Sequence, residues 1–160
     1  MSTPKLLVRV AVQEDIPSLV ELNDLFNGVQ RSVEEVQTDL LNSNETIVVA
    51  VMDERVVGFA CGQIYKSFCY SEYQAEITEM YVQEFARRNG LALMMIQRLE
   101  EIFTDFGVKN IKILTGFNNS KAIKTYEKAS YHQEEELVFN KDLGSLLGNN
   151  RSSLIDFKSI

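Results

Sequence analysis

Residues 81–101 read "YVQEFARRNGLALMMIQRLEE", and this stretch decides the fold. From Leu91 onward, apolar residues recur at the spacing of an amphipathic helix, which a basic turn at residues 87–90 joins to a strand-like segment. The first N–H groups of a helix have no acceptor within it, and the helix dipole adds positive charge there. Gly90 and Ala92 are small, so a phosphate could approach this backbone closely. The turn therefore indicates a phosphate seat, with a plain turn as the competing interpretation.

The remaining sequence predicts a mixed α/β fold. The predicted strands are residues 6–12, 46–52, 55–66, 74–82, 108–116 and one or two strands within 131–143; the predicted helices are residues 13–26, 32–41, 90–106 and 118–129. Hairpins followed by βαβ crossovers predict a sheet with helices on both faces. One domain is expected over residues 1–160, with its core at about 5–143 and a C-terminal tail at 144–160.

Composition excludes several function classes. With 160 residues, 45% of them apolar, and a net charge of −7, the chain suits a packed domain rather than a nucleic-acid surface. It shows no membrane span or export signal, so a cytoplasmic location is expected, with Cys61 and Cys69 as reduced thiols. The lone His132 argues against a metal site. Residues 1–83 carry 5 basic and 13 acidic side chains, which suits a cation, whereas residues 84–128 carry 8 basic and 5 acidic ones, which suits an anion.

Two motifs carry a family resemblance. The segment "RRNGLA", after Met80-Tyr81-Val82, fits the pattern (Gln/Arg)-x-x-Gly-x-(Gly/Ala), and "NSKAIKTYEKASY" resembles Asn-x-x-Ala-x-x-x-Tyr-Glu-Lys-x-Gly-Phe. In this order and separation they resemble the GNAT superfamily of acyl-CoA-dependent N-acyltransferases, over about residues 5–143. The resemblance implies a central, mostly antiparallel sheet whose fourth and fifth strands splay apart. The glycine that follows the last helix in the family is Ser130 here. Because serine can end a helix without left-handed geometry, this departure leaves the conformation of the turn open, although no catalytic group is lost.

The resemblance also implies a donor site. Acetyl-CoA is the implied co-substrate, with no metal. Backbone N–H groups of the turn would hold the pyrophosphate, and exposed main chain of the fourth strand would pair with the pantetheine arm. Tyr126 is implied as the general acid that protonates the departing thiolate. The implied cofactor-binding residues are Met80, Tyr81, Val82, Arg87, Arg88, Asn89, Gly90, Leu91, Ala92, Asn119 and Tyr126.

Two carboxylates compete for the role of base. A primary amine has a pKa of about 10.4, so it must lose a proton before it attacks a thioester. Glu76 lies eleven residues before Arg87, the spacing of the base in the histone-acetylating branch, whereas Glu79 has the acidic position of several antibiotic-acetylating members. Residues three apart on a regular strand face opposite ways, but a β-bulge, which the family carries here, would bring both to one face. We favour Glu79 as the base, with Glu76 in acceptor binding or as a water-mediated base.

The acceptor is defined by class. The acidic first half, with a loose resemblance of the fourth strand to aminoglycoside acetyltransferases, indicates a small cationic amine attacked directly in a ternary complex; polyamines and amino compounds fit as well. The expected acceptor-binding residues are Phe26, Asn27, Glu72 and Tyr73, with Glu34 and Glu35 as further candidates. The alternatives are a protein lysine or N-terminal acetyltransferase and a non-catalytic acyl-CoA-binding module. Homodimers are common in the family, and a homodimer is compatible with this sequence.

Overall fold

The computed structural model describes residues 2–144 of the 160-residue chain. It divides into two compact units, one ending at Leu114 and one beginning at Thr115. The first unit holds a five-stranded sheet whose strands lie in chain order, antiparallel except for the parallel last pair. The strands are β1 (Leu6–Val10), β2 (Glu45–Met52), β3 (Arg55–Tyr65), β4 (Tyr73–Val82) and β5 (Val108–Ile113). The helices are α1 (Ile16–Asn27), α2 (Val33–Asn42) and α3 (Leu91–Phe106) in the first unit and α4 (Ser120–Lys128) in the second.

Local sequence signals set the ends of these elements. Ser32 caps α2: its Oγ accepts a hydrogen bond from the N–H of Glu35 (3.1 Å), and the Glu35 carboxylate accepts one from the N–H of Ser32 (2.8 Å). Asp53 and Glu54, both with positive φ, form the tight turn between β2 and β3. Gly107 ends α3 at a φ of 94°. These ends confirm the predicted helices at residues 32–41 and 90–106 to within one residue, and the predicted hairpin between the strands at residues 46–52 and 55–66.

Side chains of the sheet alternate between two faces, and each face is covered by a helix. On one face, Leu19 and Leu22 of α1 belong to a buried cluster with residues of β2 and β3, including Phe59. On the other face, the ring of Phe103 from α3 lies against Gly62. A Cβ atom at position 62 would lie 2.4 Å from Cζ of Phe103, so only glycine allows this close packing. The predicted mixed sheet with helices on both faces is therefore confirmed.

A β-bulge interrupts the pairing of β4 with β3. The register shifts between Cys61 and Gly62, which leaves Thr78 as an extra residue of β4. The extra residue resets the alternation of side chains by one position. Glu76 and Glu79 therefore share a face of the sheet although they are three residues apart. Because Glu79 pairs with Cys61, that face is the one on which α1 packs.

Strands β4 and β5 run side by side for only part of their length. Parallel pairing joins β5 to the first half of β4, from Tyr73 to Ile77. From Glu79 to Val82, after the bulge, β4 pairs with β3 alone among the described residues. One edge of this second half therefore has no neighbouring strand for its main-chain groups, as the expected splay requires.

In the second unit, α4 begins and ends at well-defined caps. The Oδ1 atom of Asn119 accepts a hydrogen bond from the N–H of Ala122 (3.2 Å), so Asn119 is the cap of α4. After α4, Ser130 has a φ of 67°, and the N–H of Tyr131 donates to the C=O of Tyr126 (3.0 Å). Ser130 therefore adopts left-handed geometry, because this hydrogen-bonded turn requires a positive φ whichever residue occupies it.

The predicted final strand is not formed: residues 131–144 contain no strand, so the element order stops at α4 within the described chain. Leu137, Val138 and Phe139 are exposed instead. Strand propensity is expressed only where a neighbouring strand supplies packing and hydrogen bonds, and none of the described strands pairs with this segment. The predicted tail lies, apart from Gly144, outside the described residues, and the single domain over 1–160 stays a prediction. Up to residue 144, no helix combines the length and apolarity needed to cross a membrane.

Candidate functional site

The basic turn between β4 and α3 has two residues in the left-handed region. Arg88 has a φ of 65°, and Gly90, the residue before the first turn of α3, has a φ of 79°. The Nδ2 of Asn89 holds the turn by donating to the C=O of Ala86 (2.9 Å) and of Arg87 (3.2 Å). A non-glycine residue at positive φ carries strain, and such strain is typical of functional turns.

The start of α3 presents a row of N–H groups. The N–H of Met94 is the first to find an acceptor within the helix, the C=O of Gly90 (3.1 Å). The N–H groups of residues 91–93 therefore have no acceptor in the helix. A Cβ atom built on Gly90 meets no atom within 4 Å, so the space beside this row is open. Open space, free donors and the dipole of a 16-residue helix together suit a phosphate.

Arg87 connects the turn to the unpaired half of β4. Its Nε donates to the C=O of Val82 (2.8 Å), and its guanidinium carbon lies 5.8 Å from the ring centroid of Tyr81. Met80 is buried, so its main chain, not its side chain, is what it offers to a ligand. An anion at the start of α3 and an amide-bearing chain along the edge of β4 can thus be held by adjoining parts of one unit.

A cavity of about 600 Å³ lies on the face of the sheet that α1 covers. Residues of α1, α2 and the three strands β2 to β4 line it. Its lining includes Asn23, Asn27, Ile47, Phe59, Cys61 and Glu79. Glu79 belongs to the half of β4 that lacks a neighbour on its other edge, so the cavity lies beside the candidate donor channel. All of these residues belong to the first unit.

The charges in this cavity are predominantly negative. Asp39, Glu45 and Glu79 line it together with Arg31. Nη2 of Arg31 is already paired with Oδ2 of Asp39 (2.7 Å). Within residues 2–144, no cationic side chain forms an ion pair with Glu45 or Glu79. Three carboxylates and one guanidinium leave a net charge of −2 when all are ionised, which favours a cationic ligand.

Burial perturbs the titration of three groups in the cavity. Burial raises the pKa of the Glu79 carboxyl above its ordinary value, and the neighbouring Glu45 carboxylate raises it further. Burial also raises the pKa of Glu45, against the opposing effect of a hydrogen bond with Cys61. Burial and then the two carboxylates raise the pKa of the Cys61 thiol well above its usual range, so this thiol stays neutral. A partly buried carboxyl with a raised pKa, in a cleft, is a candidate proton acceptor.

The structure separates the carboxylates that the sequence proposed. Glu79 lines the cavity; Glu76 shares its face of the sheet but is not among the lining residues. Glu35 is engaged in the cap of α2, where its hydrogen bonds to Ser32 lower the pKa of its carboxyl. Glu34 is exposed at the start of α2. Of these carboxylates, Glu79 is therefore the one that lines the cavity, where burial raises the pKa of its carboxyl.

The predicted acceptor-binding residues are only partly brought together. Asn27 lines the cavity. Phe26 packs against the buried cluster that α1 forms with β2 and β3, and Glu72 is exposed in the loop that follows β3. Tyr73 lies at the start of β4 on the side of α3, where its ring centroid is 5.2 Å from that of Phe106. These three are not among the residues that line the cavity.

Two predicted site residues lie in the second unit. Tyr126 is only 6% exposed, and its hydroxyl has no hydrogen-bond partner among the described residues. Burial raises the pKa of its phenol above the ordinary value, so the hydroxyl stays protonated at neutral pH. The side chain of Asn119 serves as the cap of α4. A buried hydroxyl without a partner costs free energy, which is consistent with a group kept for a ligand.

Sequence reasoning missed Glu45 and Cys61. The predicted strand began at residue 46, which left Glu45 in a loop, whereas it is the first residue of β2. Counting back in steps of two from Val49 through Ile47 would have placed Glu45 on the α1 face. Cys61 lies in a run of buried residues of β3 that shows no alternation, so its contact with the cavity left no signal in the sequence.

Comparison with known proteins agrees with this geometry. The acetyltransferase (GNAT) family model matches residues 16–131, and no curated protein matches the chain significantly. The fold is similar to that of an aminoglycoside acetyltransferase from an uncultured soil metagenomic sample in complex with sisomicin (18% identity, TM-score 0.76, covering 86% of this chain and 95% of that chain). It is also similar to that of aminoglycoside N-acetyltransferase AAC(6')-Iy in complex with CoA (16% identity, TM-score 0.76, covering 89% and 97%). A third similar structure is an acetyltransferase of Trypanosoma brucei (22% identity, TM-score 0.73, covering 86% and 99%).

These structural likenesses, all at low sequence identity, establish the shared fold, and the expected GNAT fold is confirmed. The family match spans the stretch from α1 to the end of the α4 motif, including the basic turn and the bulged strand. The matched residues make up more than two thirds of the sequence. The match therefore confirms the prediction that the protein is an N-acetyltransferase. The chain belongs to the acetyltransferase (GNAT) family.

Proposed function

We propose that this protein transfers an acetyl group from acetyl-CoA to a primary amine of a small cationic acceptor, such as an aminoglycoside, polyamine or amino compound, by direct attack in a ternary complex. The position of Glu79 is the main support for this proposal. Its half-buried carboxylate faces an acidic cavity, and it lies on the part of β4 whose other edge pairs with no strand of residues 2–144. The similar structures in complex with sisomicin and with CoA support these two classes of ligand.

On the donor side, the N–H groups of residues 91–93 hold the pyrophosphate, and Arg87 and Arg88 add positive charge. The open row of donors and the empty space beside Gly90 support this role. The pantetheine arm lies along the main chain of residues 80–82, where its amides take the place of the missing neighbouring strand. The bound co-substrate supplies an activated acetyl thioester.

On the acceptor side, Glu79 takes a proton from the substrate ammonium, directly or through water. The freed lone pair then forms the new C–N bond at the thioester carbon, and the C–S bond breaks as the tetrahedral intermediate collapses. Because burial raises the pKa of Glu79, this carboxylate is a stronger base than an exposed one. Glu76, on the same face, contributes to acceptor binding or holds the relaying water.

Tyr126 acts on the departing sulfur. Burial raises the pKa of its phenol above 10, whereas a thiol has a pKa of about 8.5. Full proton transfer from the phenol to the thiolate is therefore uphill, and the hydroxyl stabilises the developing negative charge by donating a hydrogen bond. The amine gives up two protons overall: one ends on the sulfur of CoA, and the other leaves through Glu79 to solvent.

The test is an acetyl-transfer screen with acetyl-CoA, read by mass of the acetylated product, over aminoglycosides, polyamines, amino acids and peptides. We expect turnover of cationic small molecules and a loss of about 100- to 10,000-fold in kcat for Glu79→Gln. Glu21→Gln, an exposed carboxylate of α1 outside the cavity, is the matched control and should keep full activity. Acetylation confined to peptides would refute the small-molecule acceptor, and binding of acetyl-CoA without turnover of any amine would indicate a non-catalytic module.

A further inference from the structure

We infer that Glu45 determines acceptor specificity: its carboxylate binds a second, non-reacting ammonium while Glu79 serves the reacting nitrogen, so the preferred acceptor carries at least two amines. This inference rests on the proposed function and concerns the same cavity. Glu45 lines the cavity as the first residue of β2, and strand β3 lies between it and Glu79 of β4.

The register of the sheet places both carboxylates on one face. Cys61 of β3 pairs with Glu79 of β4 on one side and with Ile47 of β2 on the other. Glu45 is two residues before Ile47 and therefore faces the same way. Because neighbouring strands lie about 4.8 Å apart, the backbones of the two glutamates are separated by about 10 Å across the sheet. A molecule with two amines can therefore place one of them at each side chain.

The neighbours of Glu45 leave its charge without a cation. The thiol of Cys61, diagonal to Glu45 on the same face of the sheet, is only 7% exposed and stays neutral, so it supplies no positive charge. Arg31, the one cation in the cavity lining, is already paired with Asp39. A partly buried carboxylate without a counter-ion is costly, and a bound ammonium relieves that cost. Glu45 and Glu79 are thus two separate positions that each lack positive charge.

The space around Glu45 suits a ligand that extends past it. A second cavity, of about 380 Å³, shares Leu40, Glu45 and Ile47 with the first. Most of its other lining comes from β1, α2 and the chain before α1. A substrate held by Glu45 therefore has room on both sides, toward Glu79 and away from it.

The test compares α,ω-diaminoalkanes with n-alkylamines of the same length, over chains of about three to eight carbons chosen to span the distance between the strands. For wild-type protein, kcat/KM for the best diamine should exceed that of the matched monoamine by at least about 10-fold, the effect of one good ion-pair contact. In Glu45→Gln this ratio should fall to near one, mainly through a rise in KM for the diamine. Because the Glu45 carboxylate also raises the pKa of Glu79, the change can alter the activity of Glu79, but that alteration acts on both substrates and cancels in the ratio. Glu21→Gln should keep the wild-type ratio.

Thermal melting of each variant confirms that it is folded, and Glu45→Asp, which keeps the charge, should restore part of the preference for diamines. An unchanged ratio in a folded Glu45→Gln protein would overturn the role of Glu45 and leave the proposed function standing. Failure of wild-type protein to acetylate any amine would overturn the proposed function, and the role of Glu45 with it.

Discussion

Replacing Gly90 with alanine tests the phosphate seat, because the change acts on stability and on ligand binding by separate routes. Gly90 has a φ of 79°, a conformation that costs an L-residue about 1–2 kcal/mol. A Cβ atom there meets no atom within 4 Å, so no steric clash adds to this cost. Alanine recovers about 0.4–1 kcal/mol by restricting the unfolded chain. The net loss should be about 1 kcal/mol, or about 2–4 °C in Tm for a chain of 160 residues.

The effect on CoA should be larger than the effect on folding. The new methyl group enters the open space beside the N–H groups of residues 91–93, where we place the pyrophosphate. Displacing the phosphate there, or turning the strained turn away from it, removes at least one hydrogen bond to a charged group, worth about 1.5–3 kcal/mol. The Kd for CoA should therefore rise about 10- to 150-fold.

Isothermal titration with CoA, alongside thermal melting, measures both quantities. Gly107→Ala is the matched control: Gly107 has a φ of 94° at the other end of α3, and a Cβ there also meets no atom within 4 Å. It should lower Tm by a similar amount and leave the Kd for CoA unchanged. Pantetheine, which lacks the pyrophosphate, should inhibit wild-type and Gly90→Ala proteins equally. A folded Gly90→Ala protein that binds CoA with wild-type affinity would refute the phosphate seat.

Four further outcomes are expected. Tyr126→Phe should lower kcat about 10- to 100-fold with little change in KM for acetyl-CoA; an unchanged kcat in steady-state assays removes Tyr126 from the reaction. Glu79→Gln should raise Tm at pH 8, because a carboxyl whose folded pKa is raised destabilises the folded state as pH rises through that pKa. Below about pH 4 the Tm values of wild-type and Glu79→Gln proteins should converge, since the carboxyl is then protonated in both the folded and the unfolded state. Equal Tm values at pH 8 would contradict the argument that burial raises the pKa of Glu79. Cys69 should react with a thiol reagent in the native protein, while the buried Cys61 should react only on unfolding. Equal reaction rates of the two thiols in the native protein would show that solvent reaches Cys61 through the cavity. Ser130→Gly should raise the free energy of unfolding by about 1 kcal/mol in denaturant titrations, since glycine takes a φ of 67° without strain, and a decrease would indicate that the serine side chain is needed.

The local elements were predictable because their signals are contained within a few residues. The Ser32 capping box, the turn at Asp53 and Glu54, and the glycine stop at Gly107 each depend on hydrogen bonds or φ values within one turn of chain. The final strand within residues 131–143 was not predictable in this way. Its apolar residues have strand propensity, but a strand also needs a partner, and partners are chosen by distant parts of the chain.

The sequence alone determined the features from which we propose the donor site: the basic turn, the glycine before α3 and the order of the motifs, all of which act through backbone geometry over short distances. Only the tertiary structure decided which residues line the cavity that we propose for the acceptor. The bulge at Thr78, which a single pairing register creates, brings Glu76 and Glu79 to one face, and packing of α1 and α2 over that face then selects Glu79 as the residue that lines the cavity. Glu45 joins it from another strand, 34 residues earlier in the chain. Charge complementarity to an acceptor depends on such distances through space, which no local pattern in the sequence records.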